Sequence, residues 1–321
     1  MSVSVASSTE EVERCGFSGD GRFLATGHPG YIVLLETASL RSRGGFTVGQ
    51  FPVFAFDPRG EEMLTSDVSG VTRRSLPGGL SESLDAALVE NVIPTPRWRA
   101  LTYTKDGARI WAANIASNRL YSFTRDFSST VACIGPHDAT DAVAVSPNGQ
   151  WLASGSSRNR DVKVWHVESG TNVTTFHAGR NHRIAFSGDG RWLLTHGDVF
   201  ALVDTRTWEP ALALSFPGPK PSLSAAALSP DARLLAVVEN QLTVRLFDLN
   251  TRQPLGLLRT LTSGAINMLA FSPDGRYLVA ACAQGRLRRW DLQAITQELT
   301  ALHLDWNLSV LPEGGPLRAA P

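Results

Sequence analysis

This 321-residue chain lacks an excess of charge of either sign: 30 Lys and Arg balance 30 Asp and Glu. Without a basic surplus, neither nucleic acid nor an anionic membrane surface is an expected partner. Cysteine is scarce. Cys15, Cys133 and Cys282 are scattered and odd in number, which argues against a disulfide framework and suits a reducing compartment, the cytoplasm. No apolar run reaches the ~18 residues that a membrane span needs. The opening MSVSVASSTEE has no basic segment followed by a long apolar stretch, so no signal peptide is expected. The chemical motifs are missing too. There is no HExxH, Cys-x-x-Cys, nucleophile elbow or phosphate-binding loop among the residues, so no catalytic residue, metal or cofactor is expected.

What the chain does contain is repetition. FSPDGRYLVA begins at Phe271. Related stretches begin at Phe17, Phe56, Tyr103, Val145, Phe186 and Leu228, with spacings of 39, 47, 42, 41, 42 and 43 residues. A steady period near 42 belongs to propeller blades of four strands each. Four residues after each anchor stands Gly21, Gly60, Gly107, Gly149, Gly190, Ala232 or Gly275. A tight hairpin needs a residue of positive φ there, which glycine adopts without steric cost. Ala232 departs from the pattern, so its turn should be strained or of another type.

The strands around the turns alternate. Seven residues past the anchors stand Leu24, Met63, Ile110, Leu152, Leu193, Leu235 and Leu278, all apolar. One residue before the anchors stand Gly16, Ala55, Thr102, Ala144, Ala185, Ala227 and Ala270, nearly all small. Small residues on one side and larger apolar residues on the other fit blades that converge on an axis. Cys15 belongs to the larger set and is expected as a packed thiol. About twenty residues after each anchor a strand ends, most fully as Trp290-Asp291, with Phe247-Asp248 close to it.

On these repeats and the Trp-Asp pair, the chain resembles the WD40-repeat β-propeller family over roughly residues 2–292. The resemblance implies an all-β, seven-bladed propeller of four-stranded antiparallel blades. No fourth strand follows Trp290-Asp291, and family members close their ring through the N-terminus. Ser2 to Ser7 alternates and is expected as the outer strand of the last blade. Residues 293–321 form a second region. Ile295, Leu299 and Leu302 make a helical stripe over about 293–303, with Trp306 and Leu308 in an extended tail. This tail is similar to those of some bacterial members. The helix either docks on its own propeller or binds a partner. The family often carries a buried His–Ser/Thr–Asp–Trp network. His137, Ser154 and Trp165 approach it in the fourth copy, but its Asp place holds Asn159, with Asp161 displaced by two. The chain is therefore expected mostly to lack the network, and His137 is either a structural member of one or a surface histidine.

The resemblance also implies where binding occurs. Polar residues four and six before the anchors sit at the upper mouth of the axial channel: Glu11, Glu13, Arg97, Arg99, Asp141, Arg180, His182 and Asn267. Trp98 between the two arginines is an interface anchor if exposed and core if buried. Arginine and tryptophan often dominate interfaces, and the basic members favour an acidic or phosphorylated peptide. The expected function is a non-catalytic, monomeric protein-interaction scaffold or regulatory module that binds a protein or peptide on its upper face. The alternative is a propeller hydrolase or lyase with its site at the channel mouth.

Overall fold

The computed structural model describes residues 2–4, 11–77, 89–156, 158–179, 183–196, 200–214, 225–260 and 264–303. It consists of seven four-stranded antiparallel sheets and one helix. The chain opens with β1 (Ser2–Ser4). Blade 1 is β2 (Arg14–Phe17), β3 (Phe23–His28), β4 (Tyr31–Glu36) and β5 (Ser42–Thr47). Blade 2 is β6 (Val53–Phe56), β7 (Glu62–Asp67), β8 (Gly70–Ser75) and β9 (Val89–Ile93). Blade 3 is β10 (Trp98–Tyr103), β11 (Arg109–Asn114), β12 (Arg119–Thr124) and β13 (Thr130–Ile134). Blade 4 is β14 (Thr140–Val145), β15 (Trp151–Ser156), β16 (Asp161–His166) and β17 (Asn172–His177). Blade 5 is β18 (Arg183–Phe186), β19 (Trp192–His196), β20 (Phe200–Asp204) and β21 (Glu209–Leu214). Blade 6 is β22 (Ala226–Leu228), β23 (Leu234–Asn240), β24 (Thr243–Asp248) and β25 (Pro254–Arg259). Blade 7 is β26 (Ile266–Phe271), β27 (Tyr277–Cys282) and β28 (Arg286–Asp291), with β1 as its outer strand.

The core is divided among the seven blade interfaces. Each of seven apolar clusters joins two neighbouring blades; one, for example, sets Leu24 and Leu35 of blade 1 against Met268 and Leu287 of blade 7. The second strand is the most buried in blades 1–5, as in β3, where every residue is buried. The outer strands face solvent, as in β17. Apolar alternation in the inner strands thus becomes wedge-on-wedge packing, in which each blade depends on its neighbours.

The ring closes as the sequence predicts. Ser2, Val3 and Ser4 pair with Arg288, Leu287 and Arg286. Arg289 adds a clasp by donating to the carbonyls of Thr37 and Ala38 in blade 1. Residues 5–7 of the proposed strand lie outside the described residues. The helix α1 (Leu292–Ala301) starts one residue before the expected position and ends before 303. Leu292 is buried and Ile295 packs against the cluster between blades 6 and 7. Leu302 is 67% exposed and does not join that face. The helix therefore docks on its own propeller; Trp306 and Leu308 lie outside the described residues.

Each hairpin between first and second strands is built around a residue that the sequence reading passed over. It follows the anchor directly. In blade 4 it is Ser146, whose hydroxyl donates to Asn148 Oδ1 at 2.7 Å and accepts the Trp151 amide at 2.8 Å. Five other blades repeat this pattern with Ser or Thr and an aspartate. The recurrent aspartates are thus turn acceptors. Blade 2 places Asp57 there instead, and its fully buried carboxylate accepts the Glu61 amide at 2.7 Å and a 3.0 Å bond from Arg125 Nη1 of blade 3. Ala232 keeps the same turn geometry as its glycine counterparts. Its amide bonds Ser229 O at 3.0 Å with φ at +57°, a left-handed conformation unfavourable for alanine.

Blade 4 corrects one sequence expectation, because its polar network is complete. Trp165 Nε1 donates to Ser154 Oγ at 2.8 Å. Ser154 Oγ lies 2.6 Å from His137 Nδ1, and His137 Nε2 lies 2.9 Å from Asp161 Oδ1. Indole N–H can only donate, so the Ser154 proton points to Nδ1 and Nε2–H points to Asp161. His137 is 1% exposed. Burial pulls its pKa below the usual value and outweighs the opposing pull of Asp161, so it is neutral. Asp161 can substitute for Asn159 because residues 161, 163 and 165 share one face of β16.

Candidate binding face at the channel mouth

Three mouth residues owe their aim to irregular pairing. Arg99, Asp141 and Asn267 are each the extra residue of a β-bulge, in β10, β14 and β26 respectively. A bulge removes a residue from the ladder and re-aims its side chain, which explains polar side chains within otherwise apolar strands.

Their environments differ. Arg99 is half-buried, and its guanidinium carbon lies 3.7 Å above the centre of the Phe51 ring. Phe51 is 51% exposed. Arg97 is exposed with φ at +76°. Between the arginines, Trp98 turns inward: it is 6% exposed, meets Tyr121 and Phe123 edge-on at 5.6 and 5.8 Å, and donates to Thr95 O at 2.7 Å. Trp98 is core, and the reading of it as an interface anchor is withdrawn. Asn267 is also withdrawn as a contact residue, because it is only 4% exposed; its Nδ2 is buried without a hydrogen-bond partner. Asp141 is half-buried, and its Oδ1 likewise has no hydrogen-bond partner. Glu11 is exposed and Glu13 half-buried. Burial pushes the Glu13 carboxyl upward, while Arg14 and Arg183 pull the other way. Arg180 and His182 lie outside the described residues.

Two residues that the sequence reading missed dominate the channel. Arg14 of blade 1 donates from Nη2 to Arg99 O in blade 3 at 3.2 Å and to Asp141 O in blade 4 at 3.5 Å. Arg183 of blade 5 donates to Glu13 O of blade 1. Both side chains therefore reach across the axial hole. Burial and the facing Arg183 charge lower Arg14 to about 10. The missed signal was present: three residues before the anchors the other blades carry Val53, Ala100, Ala142, Ala225 and Met268. A charged residue in a row of small or apolar ones marks a place where the channel is crossed. Cys15 is half-buried beside a cavity, and burial raises its thiol to about 12; this fits an unreactive thiol but not a fully packed one.

The mouth thus presents an aromatic–cation pair, a second exposed arginine and carboxylates on a rigid rim. Among the described residues, no three His, Cys, Asp or Glu side chains gather closely enough to hold a metal ion. Also among them, no helix is long and apolar enough to cross a membrane.

Comparison with known proteins adds independent support for the fold. The family described as WD domain, G-beta repeat matches residues 128–166, which include the His137 network. The family described as Anaphase-promoting complex subunit 4 WD40 domain matches residues 226–304. WD repeat-containing protein 36 from Homo sapiens is 26% identical over 158 residues, covering 47% of this chain and 17% of that protein. The Serine-threonine kinase receptor-associated protein of Dictyostelium discoideum is 25% identical over 130 residues, covering 40% and 43%. The Protein LST8 homolog of Drosophila melanogaster is 29% identical over 125 residues, covering 37% and 38%. The chain spans less than half the length of each of these relatives. All three are eukaryotic, so the likeness of the tail to bacterial members finds no support. Seven blades in one closed ring, matched by repeat families at two separate places, support a WD40-repeat β-propeller.

Proposed function

We propose that the chain is a non-catalytic interaction module that binds a protein or peptide on the upper face of its propeller. The observation that carries this reading is the Arg99–Phe51 pair, with exposed Arg97 close by in the chain. A large apolar side chain left half in water beneath a guanidinium is a ready anchor for a partner. Bulged strands hold Arg99 in place before binding, so little ordering entropy remains to be lost. Val68 extends the apolar rim: it is 83% exposed and lies next to Gly49 of the segment leading to Phe51.

Arg97 and Arg99 favour an acidic or phosphorylated peptide. The names of the relatives agree with the broad reading, since one is named for association with a receptor. We also infer a monomer, and a cytoplasmic location that would suit three free cysteines. The enzyme alternative needs Glu11, Glu13, Asp141 and His182 to converge, and no observation among the described residues favours it.

The test is affinity capture from the native host with the parent chain and an Arg97→Ala/Arg99→Ala variant, followed by mass spectrometry. A partner captured by the parent and lost by the variant supports the proposal. An identified partner that binds the two proteins equally removes the arginine face from it.

A further inference from the structure

Arg14 and Arg183 cross the channel in opposite senses, the first from blade 1 towards blades 3 and 4, the second from blade 5 towards blade 1. Arg183 donates to the carbonyl of the peptide that leads into Arg14, so the two side chains share one level of the hole. Each takes the backbone carbonyl of an acidic residue and not its carboxylate: Arg14 bonds Asp141 O, and Arg183 bonds Glu13 O. Asp141 Oδ1 is buried without a hydrogen-bond partner, so this carboxylate does not close on Arg14. Among the described residues, no carboxylate oxygen lies within ion-pairing distance of either guanidinium. Both arginines are half-buried, and on each the Nε and Nη1 groups have no acceptor among the described residues.

Two guanidiniums in one passage repel each other, and carbonyl dipoles offset only part of that cost. Glu13 and Asp141 act on both through space, yet burial still holds both arginines below their ordinary pKa. A guanidinium presents its N–H groups as a planar fork that matches the oxygens of an oxyanion. Here the carbonyl bonds fix both forks before any ligand arrives, so little ordering entropy remains to be lost. We propose that the axial channel binds a small divalent oxyanion, phosphate or sulfate, between Arg14 and Arg183, through their Nε and Nη1 groups. Two positive charges and several N–H donors suit a doubly charged ion with several oxygens better than they suit chloride. The Glu13 carboxylate competes for the same charges. This site does not depend on the upper-face reading, and the two can fail separately.

Equilibrium dialysis of the full chain against radiolabelled phosphate, at fixed ionic strength in chloride, reads the site directly. Saturable binding of one phosphate per chain is expected, displaced by sulfate and not by chloride. Arg183→Met keeps most of the side chain's length without its charge or donors. It should weaken binding about tenfold or more, as the loss of a charge-assisted hydrogen bond implies. Glu13→Gln removes a competing carboxylate and should tighten binding. That variant leaves both arginines and the Glu13 carbonyl in place, so it decides the matter even if Arg183→Met fails to fold. Arg97→Ala separates this site from the rim: parent affinity in that variant keeps the anion in the channel, and loss of binding would move it to the rim and overturn the proposal. The proposal is also overturned if phosphate shows no saturable site, if a folded Arg183→Met variant keeps the parent affinity, or if Glu13→Gln binds no more tightly than the parent.

Discussion

Blade 4 is fastened through its interior, whereas blade 7 is fastened from outside. In blade 4, Ser154 joins Trp165 to His137, which continues to Asp161. Blade 7 carries the fuller sequence signature, Trp290-Asp291, yet Ala280 stands where blade 4 has Ser154: each lies two residues beyond the leucine that pairs with the tryptophan. Asp291 instead turns outward to cap α1 through the Ala294 amide at 3.1 Å and to pair with Arg276 at 2.9 Å. Blade 7 also borrows its outer strand from the other end of the chain. The family signature and the buried network are therefore separable, and a blade without the network can be held by closure, interface packing and a docked helix.

The largest test breaks the external fastening. Deleting residues 2–8 removes the β1–β28 ladder and exposes a strand edge in blade 7. A loss of several kcal/mol is expected from lost ladder bonds and newly exposed apolar surface. Thermal melting checks it, and an unchanged melting temperature would show that the N-terminal strand does not bear on stability.

Next comes the internal fastening. His137→Ala removes a buried ring and leaves Ser154 and Asp161 without their shared partner, at an expected cost of about 2–4 kcal/mol. The same network should make stability depend on pH. The native His137 pKa lies below its ordinary value of 6.5, so the unfolded chain takes up the proton first. Stability contributed by neutral His137 is present above about pH 6.5 and is lost as pH falls below it, at no more than about 1.4 kcal/mol per pH unit. Denaturant titrations at pH 7.5 and 5.5 should show a steeper loss in the parent than in His137→Gln. Equal losses would mean that His137 does not titrate in this way.

These contrasts show what could be read in the residues. Hairpin glycines and apolar alternation recur at fixed offsets, so the seven blades and their closure by Ser2 were legible; the docking of the C-terminal helix, which leaves Leu302 exposed, was not. The network of blade 4 was not, because hydrogen bonds depend on where atoms point. Asn159 occupied the expected offset, but Asp161 shares the face of Trp165. The mouth was half legible. The offset that located Arg99 and Asp141 could not reveal the bulges, since pairing register is not written in a single strand. Nor could it show that Trp98 turns inward while Arg14 and Arg183 cross the hole.

A smaller effect should come from Asp291, which tests the claim that the acidic member of the pair in blade 7 is a helix cap. Its pairing with Arg276 is exposed, so little stability comes from the charges. Losing a side-chain cap typically costs ~1 kcal/mol. Asp291→Ala should therefore destabilise by about that amount, and Asp291→Ser should recover most of it because a hydroxyl can also accept the Ala294 amide. If serine gives no recovery, the ion pair rather than the cap is the contribution that matters.

The smallest test concerns blade 6, where the hairpin shared by blades 4 and 7 is built with the wrong residue. Ala232 holds φ at +57°, while Gly149 and Gly275 hold 73° and 71° in the same hydrogen-bonded turn. Glycine takes this conformation freely, but it also gains freedom in the unfolded chain, which offsets part of the benefit. Ala232 is 7% exposed, so removing its methyl also loses a little burial. Relief of left-handed strain, about 1–2 kcal/mol, should exceed these two losses. Ala232→Gly should stabilise the protein by a net ~0.5 kcal/mol, read as a higher denaturant midpoint with an unchanged slope. A lower midpoint would mean that the methyl packs well enough to outweigh the backbone strain, and that this turn is better fitted to alanine than its six counterparts suggest.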